Sequence, residues 1–352
     1  MSKILITGCA GYIGSLLSAE MLARGHMVIG IDNLMYNNGS ALLPLLGDRN
    51  FVFERLDARD AASLYAEIGW EADVILPLAA LVGAPVCANK PLAAKQVNFN
   101  AVADLCDLMS PHQFLIYPNT NSGYGQTDGD RPCLETDPLN PISVYGKTKC
   151  GAEEYVLSRN GRSVVFRLAT VFGASPRMRM DLMVNDFTRK LWTVQNRLRH
   201  RQTLEKEPLI PSQQRIWDNL APTLGIFEPH FQRNFVHVRD VANAFCFAME
   251  SQLSDRPLSG VYNLGLPDSN MTKLELAHTI CDVLGMSREC VTESVGKDPD
   301  QRNYIVSNDK ILTTGFEFQH SLNRGIREVE QICRMTSHAV LDTMNNTGKT
   351  AP

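Results

Sequence analysis

The chain has 352 residues, 44% hydrophobic and 20% charged, with a formal net charge of −4. That length exceeds what one compact domain usually needs, so one large or two closely joined domains are expected around an ample core. The slight acidic excess gives no electrostatic reason for a nucleic acid or an anionic membrane as partner, so any anionic ligand has to be held by placed arginines and backbone amides.

In chain order, short apolar runs alternate with amphipathic stretches through the first half. Strands are predicted at Lys3–Thr7, Met27–Ile31, Phe51–Phe53, Asp73–Leu76, Gln113–Tyr117 and Ser163–Leu168. Helices are predicted at Tyr12–Arg24, Ala61–Gly69, Pro91–Ser110 and Ser143–Arg159. This is the pattern of an α/β fold, a doubly wound parallel Rossmann sheet whose ligands sit at the carboxyl ends of the strands. After Thr170 the rhythm loosens: a basic loop at Ser175–Arg179, a helix at Leu182–Trp192, then a polar stretch at Val194–Leu224 with Pro208, Pro211 and Pro222. Order resumes with a strand at Asn234–Val238, a helix at Asp240–Met249, a strand at Val261–Leu264, and helices at Lys273–Leu284 and Leu322–Arg334. The division that follows is a nucleotide domain over 1–170 with a return segment at 234–265. A smaller, partly interleaved C-terminal substrate domain takes 171–233, with an insertion at 194–224, and 266–336. Residues 337–352 are expected to fray.

Nine cysteines lie scattered without any C-x-x-C pair or histidine cluster, so neither a metal site nor a disulfide framework is expected. No charged leader precedes the first strand, and no apolar run approaches a membrane span, so a soluble cytoplasmic protein is expected.

The first strand leads into Gly8-Cys-Ala-Gly11-Tyr-Ile-Gly14 and an amphipathic helix. Gly8 permits the tight exit, Gly11 close approach of backbone to a pyrophosphate, and Gly14 close helix packing. The helix N-terminal amides then face the anion. Asp32 ends the second strand 18 residues beyond Gly14, where a carboxylate accepts both adenosine ribose hydroxyls. It would repel a 2′-phosphate, and no Arg follows in Asn33-Leu-Met-Tyr36, so NAD is favoured over NADP. After the third strand, Asp57 and Ala58 stand where they would approach the adenine, although an isolated Asp also serves as a simple cap.

Ser143-Val-Tyr145-Gly-Lys-Thr-Lys149 opens a predicted helix, so Tyr145 and Lys149 share a face. A tyrosine with its ordinary pKa of about 10 is a poor base, and a nearby ammonium and the positive nicotinamide ring are expected to lower it by about three units. The fifth strand ends in Tyr117-Pro-Asn-Thr120-Asn-Ser122-Gly-Tyr124-Gly125, where either Thr120 or Ser122 can present a hydroxyl to the same cleft.

Taken together, TGCAGYIG, Asp32, Leu78-Ala-Ala80, Asn98, Thr120…Tyr124-Gly125, Tyr145…Lys149, Arg233–Asp240 and Val261–Gly265 resemble the extended short-chain dehydrogenase/reductases, in the nucleotide-sugar epimerase and dehydratase group. The resemblance implies Thr120, Tyr145 and Lys149 as the catalytic triad. It implies NAD contacts from Gly8, Gly11, Tyr12, Ile13, Gly14, Asp32, Asn33, Asp57, Ala58, Leu78, Ala79, Ala80, Asn98 and the Arg167–Thr170 strand end. On the substrate side it implies Ser122, Thr170 and Asn185, with Arg233 and Arg302 gripping a diphosphate through guanidinium forks. It also implies a homodimer through the helices at Pro91–Ser110 and Ser143–Arg159, with Ala101, Val102, Leu105 and Leu108 suitably spaced, a stripe that would equally pack on the sheet.

Departures from the group narrow the chemistry. Its 4,6-dehydratases carry an Asp-Glu pair after the catalytic Thr, where this chain has Asn121 and Ser122, neither able to shuttle a proton as a carboxyl does. The related acid decarboxylases need that Glu, and members that epimerise beside a ketone have a Cys at Ser122. Pro77 replaces the usual His before Leu-Ala-Ala, and Thr170 stands where some 4-epimerases have Asn. What the resemblance leaves is redox work at C4 of a nucleotide sugar, by a 4-epimerase that oxidises C4 transiently and takes the hydride back. The alternatives are a 4-dehydrogenase or 4-keto reductase and, in another class, a non-catalytic NAD-sensing module.

Overall fold

The computed structural model describes residues 1–67, 72–127, 131–159, 161–204, 223–296 and 301–346. The apolar runs of the first half form β1 (Lys3–Thr7), β2 (Met27–Ile31), β3 (Phe51–Glu54), β4 (Val74–Pro77), β5 (Phe114–Thr120) and β6 (Ser163–Leu168). Later in the chain come β7 (Thr170–Phe172), β8 (Leu224–Ile226), β9 (Gln232–Arg233), β10 (Phe235–His237), β11 (Gly260–Leu264), β12 (Met271–Thr272) and β13 (Val291–Glu293). Seven of these make one parallel sheet in the order β11-β6-β5-β4-β1-β2-β3. Its strands are continuous apolar runs because both faces are covered, and alternate residues divide between the faces. Ile4 and Ile6 pack with Leu17, Met21 and Phe245, while Leu5 packs with Leu64, Val102, Leu105 and Val156.

Strand order reverses at β1, which has β2 on one side and β4 on the other. A doubly wound sheet opens a crevice at that point, beyond the carboxyl ends of the strands. The registers Thr7↔Ile31, Thr7↔Pro77 and Thr120↔Leu168 align those ends, so Gly8, Asp32, Leu78, Asn121 and Ala169 all leave the sheet along one edge.

The second half builds a separate apolar cluster, with Phe172, Leu191, Ile226, Phe235, Leu276, Ile280 and Ile326 at its centre. Three short strand pairs, β10–β7, β12–β9 and β13–β8, form separate two-stranded sheets in this half. The helix Lys273–Leu284 starts on a capping box between Thr272 and Glu275 and stops at Gly285, whose φ of 67° suits a residue without Cβ.

Four departures from the sequence reading have physical causes. The helix predicted at Leu182–Trp192 runs over Met183–Leu204, into the stretch read as an insertion; 205–222 and the end of the predicted Ala61–Gly69 helix lie outside the described residues. Pro91–Leu108 is helical but passes through a π turn at Gln96–Asn100. Ala101, Val102 and Leu105 are buried within the chain, and only Leu108 of that stripe is exposed, so the stripe packs on the sheet and lends no support to a dimer. Residues 337–346 pack on the rest of the chain, with Leu341 fully buried in a short helix, His338–Leu341, while 347–352 lie outside the described residues. Among the described residues, no helix is long and apolar enough to cross a membrane.

Candidate functional site

A cleft of about 570 Å³ lies along the carboxyl edge of the sheet. Its wall at the switch point is the glycine turn. Gly8 has a φ of 74°, and its N–H bonds to Ile31 O (2.6 Å). A Cβ on Gly14 would stand 2.1 Å from Gly8 O, so the helix beginning at Tyr12 lies directly on the turn. That helix opens on Gly11 with no side-chain cap and no acidic residue in its first turn. Its first amides are therefore left for an anionic ligand at the cleft, which Gly11, Tyr12, Ile13 and Gly14 line. This uncapped turn, with Asp32 and the Ala79 backbone beside it, fits a dinucleotide pyrophosphate and its ribose.

Asp32 accepts the N–H groups of Ala10 (3.1 Å) and Leu34 (2.8 Å), and burial pushes its carboxyl up. Asn33, Asp57 and Ala58 line the same end. Asp57 accepts Asn33 Nδ2 (3.0 Å) and a two-armed contact from Arg59 (2.8 and 2.9 Å), and Arg59 holds it well below the usual carboxylate range. Leu78, Ala79 and Ala80 line the cleft. Asn98 does not. It is fully buried in the π turn, accepts Leu81 N–H (2.8 Å), and donates to Leu81 O (2.9 Å) and Thr148 Oγ1 (3.2 Å). It fixes the loop that lines the cleft from behind, and π turns recur at such places.

Thr120, Ser122, Tyr145 and Lys149 all line the cleft. The Thr120 hydroxyl donates to Ser122 Oγ (2.8 Å) and accepts Ser122 N–H (3.1 Å), so the two candidate hydroxyls form one short chain. Asn121 is fully buried and is not part of the cleft wall. Lys149 is buried with its ammonium 4.2 Å from the centre of the Tyr117 ring, and burial pushes it down to about 7. Tyr145 lines the same cleft. The surrounding protein desolvates the phenol and pushes it up to about 12, against the smaller opposing pull of Arg302 and Arg179. Burial penalises the phenolate more than Arg302 and Arg179 favour it; the charge of a nicotinamide ring, on which the sequence reading also rested, lies outside this balance.

On the substrate side, Thr170, Arg233 and Arg302 line the cleft, and Arg233 donates to the Arg302 carbonyl oxygen while lying over the Tyr304 ring. Asn185 is displaced from its predicted role. It is fully buried, accepts Gly173 N–H (3.1 Å) and donates to Arg179 O (2.9 Å), so it shapes the 173–179 loop rather than facing a ligand. Arg167 likewise turns away from the cleft onto Glu153 (2.6 Å), while Leu168, Ala169 and Thr170 line it.

Sequence reasoning missed Tyr36, Asn38, Arg177, Arg179, Asp181 and Asn346, all of which line the cleft. Asn38 donates to Ala10 O (2.6 Å), and Arg179 forks onto Asp181 (2.6 and 3.0 Å). The only available signal was the basic Ser175–Arg179 loop, whose destination no local pattern reveals.

A sequence profile of the NAD dependent epimerase/dehydratase family matches residues 4–265. The chain is 32% identical over 190 residues to UDP-glucose 4-epimerase 2 of Oryza sativa subsp. japonica, covering 49% of this chain and 45% of that protein. It is 36% identical over 200 residues to an uncharacterized UDP-glucose epimerase of Bacillus subtilis, covering 51% and 59%. The match thus spans about half the length of these curated relatives. In fold, the chain superposes on the Thermus thermophilus UDP-glucose 4-epimerase complexed with NAD, with a TM-score of 0.72 and 22% identity over 95% of this chain and 100% of that one. It superposes on the Bacillus anthracis dTDP-glucose 4,6-dehydratase in complex with NAD with a TM-score of 0.73 and 20% identity over 97% and 100%.

Proposed function

This chain belongs to the NAD-dependent epimerase/dehydratase family and uses NAD, and from that premise we propose that it is a nucleotide-sugar 4-epimerase. The names of its relatives make UDP-sugars the first candidates. The observation that carries the reading is the company of Thr120: the hydroxyls of Ser122 and Tyr145 line the cleft with it, whereas Asn121, at the place of a dehydratase carboxyl, is buried outside the cleft wall.

When bound, NAD supplies the acceptance of the C4 hydride and its return. The chain's own residues manage the proton and the geometry. Tyr145, as phenolate, takes the C4 hydroxyl proton, directly or through Thr120, and gives it back in the reverse step. Burial raises its phenol to about 12, Arg302 and Arg179 pull the other way, and the positive nicotinamide ring of bound NAD would add to that pull. Lys149, buried and pushed to about 7, can exchange a proton close to neutrality. Arg233 and Arg302, which line the cleft, are the arginines that would anchor the sugar's diphosphate. Holding alcohol and base together makes the proton transfer unimolecular.

The test is to add UDP-glucose, UDP-galactose and their uronic and N-acetylated analogues to the NAD-loaded protein, while following absorbance at the reduced-cofactor band and separating the sugars. A new C4 isomer without net cofactor reduction is the expected result. Stoichiometric NADH would replace the reading with a 4-dehydrogenase.

A further inference from the structure

The adenosine end of the cleft is closed by groups from three remote segments. The first is the loop after β2, where Leu34 and Asn37 flank Tyr36 in left-handed conformations (φ 57° and 51°) that non-glycine residues adopt only when their surroundings impose them. Asp32 accepting Leu34 N–H and Asn38 donating to Ala10 O are the bonds that impose them. The second is the 175–182 loop, whose Arg177 guanidinium lies 5.4 Å from the centre of the Tyr36 ring. Arg177 is only 9% exposed and lines the cleft with Tyr36 and Asp32.

The third is the segment 337–346. Leu341 anchors it in the main core, the His338 ring packs on Trp192, and Asp342 pairs with Arg189 (2.7 Å). Its far end reaches the cleft. Met180 N–H bonds to Met344 O (2.6 Å), and Arg177 donates to Asn345 O (3.2 Å) and Asn346 Oδ1 (2.5 Å). The backbone N–H of Asn346 also donates to Asp181, onto which Arg179 forks. Asn346 itself lines the cleft. A continuous bridge, Asn346–Arg177–Tyr36, therefore crosses the end where Asp32 waits for a ribose.

We propose that residues 337–346 are a strap that retains the dinucleotide, with Arg177 and Asn346 as positioning residues that hold Tyr36 and the adenosine end closed. The proposal rests on NAD occupying this cleft and not on which sugar is used. It deepens the epimerase reading in one respect: an enzyme that uses the same cofactor molecule twice per turnover gains from slow release, whereas a dehydrogenase must let the product cofactor go.

The test uses the full-length protein loaded with NADH. Bound-cofactor fluorescence is followed in a stopped-flow after mixing with excess NAD, at a temperature where thermal unfolding shows every variant folded. Asn346→Ala and Arg177→Ala are expected to release NADH about tenfold faster, the loss of a charge-assisted hydrogen bond. Arg177→Lys should fall between them and wild type, since lysine keeps the charge but neither the planar stack nor the fork. Unchanged release from both alanine variants, even with a lower Tm, overturns the strap and leaves the segment a merely structural tail. Wild-type protein that binds no NADH would instead remove the cofactor premise, an outcome distinct from unchanged release. Asn346→Ala, a small change at the edge of the bridge, decides the matter if Arg177→Ala does not fold.

Discussion

Two polar regions lie one turn apart on the same face of the helix Val144–Arg159, at Glu153 and at Lys149, and they are built in opposite ways. At Glu153, charge is fully paired. Arg167 forks onto Glu153 (2.6 Å) and reaches Tyr124 Oη (2.9 Å) and Glu135 O (3.1 Å), while Tyr124 donates to Asn263 (2.7 Å). Toward the cleft, Lys149 has no ion pair among the described residues and rests on the face of Tyr117, which leaves it pushed down to about 7, whereas Arg167 is pushed up. Both cations are buried, but a paired one is locked and an unpaired one is poised to exchange a proton. One region fixes the helix; the other uses the position so fixed.

The largest test of this division lies on the cleft side. Tyr145→Phe should lower turnover by about 10³- to 10⁴-fold, read as C4 isomer formed, with NAD binding retained. Full turnover in that variant would remove Tyr145 from the chemistry and make the two regions alike.

Arg167→Met breaks the paired region. It leaves Glu153 buried without its cation and should cost about 3–5 kcal/mol of stability in denaturant unfolding. A change below about 1 kcal/mol would mean the pair behaves as a surface contact, contrary to the comparison.

Lys149→Met gives the smallest effect on the fold, and one of opposite sign. The folded pKa of about 7 lies below the ordinary 10.5, so between those values the unfolded chain holds a proton that the folded chain has lost. Raising the pH through that window therefore stabilises the fold, and below it the cost of burying the charge is present in full. The variant should be more stable than wild type below pH 7, the difference shrinking toward 10.5, while turnover falls. Thermal unfolding across pH checks it; parallel curves for the two proteins would show that Lys149 is not poised.

Much of the site was legible because its parts are close in sequence. Gly8, Gly11 and Gly14 share one turn, Tyr145 and Lys149 share one helical face, and Thr120 ends a strand whose register is set by its neighbours. The misreadings all concern where a side chain turns after its backbone was correctly placed. Arg167 sits at a strand end as predicted, but alternation along β6 points it at Glu153. Asn98 lies in the predicted helix, yet the π turn carries it behind Leu81. Asn185 is used up by the backbone of Gly173 and Arg179. For Tyr145, spacing revealed neighbours along the chain but not the depth of burial that pushes its phenol up.

The sequence by itself determined the doubly wound sheet, the glycine turn, Asp32 and the Tyr145/Lys149 face, since period and spacing are local properties that backbone geometry converts directly into position. Only the tertiary structure decided that Arg177 and Asn346 meet over Tyr36, that Asn121 is buried away from the cleft wall, and that Lys149 and Arg167 differ in charge behaviour. Those outcomes depend on contacts between segments far apart in the chain and on desolvation, which no local pattern encodes.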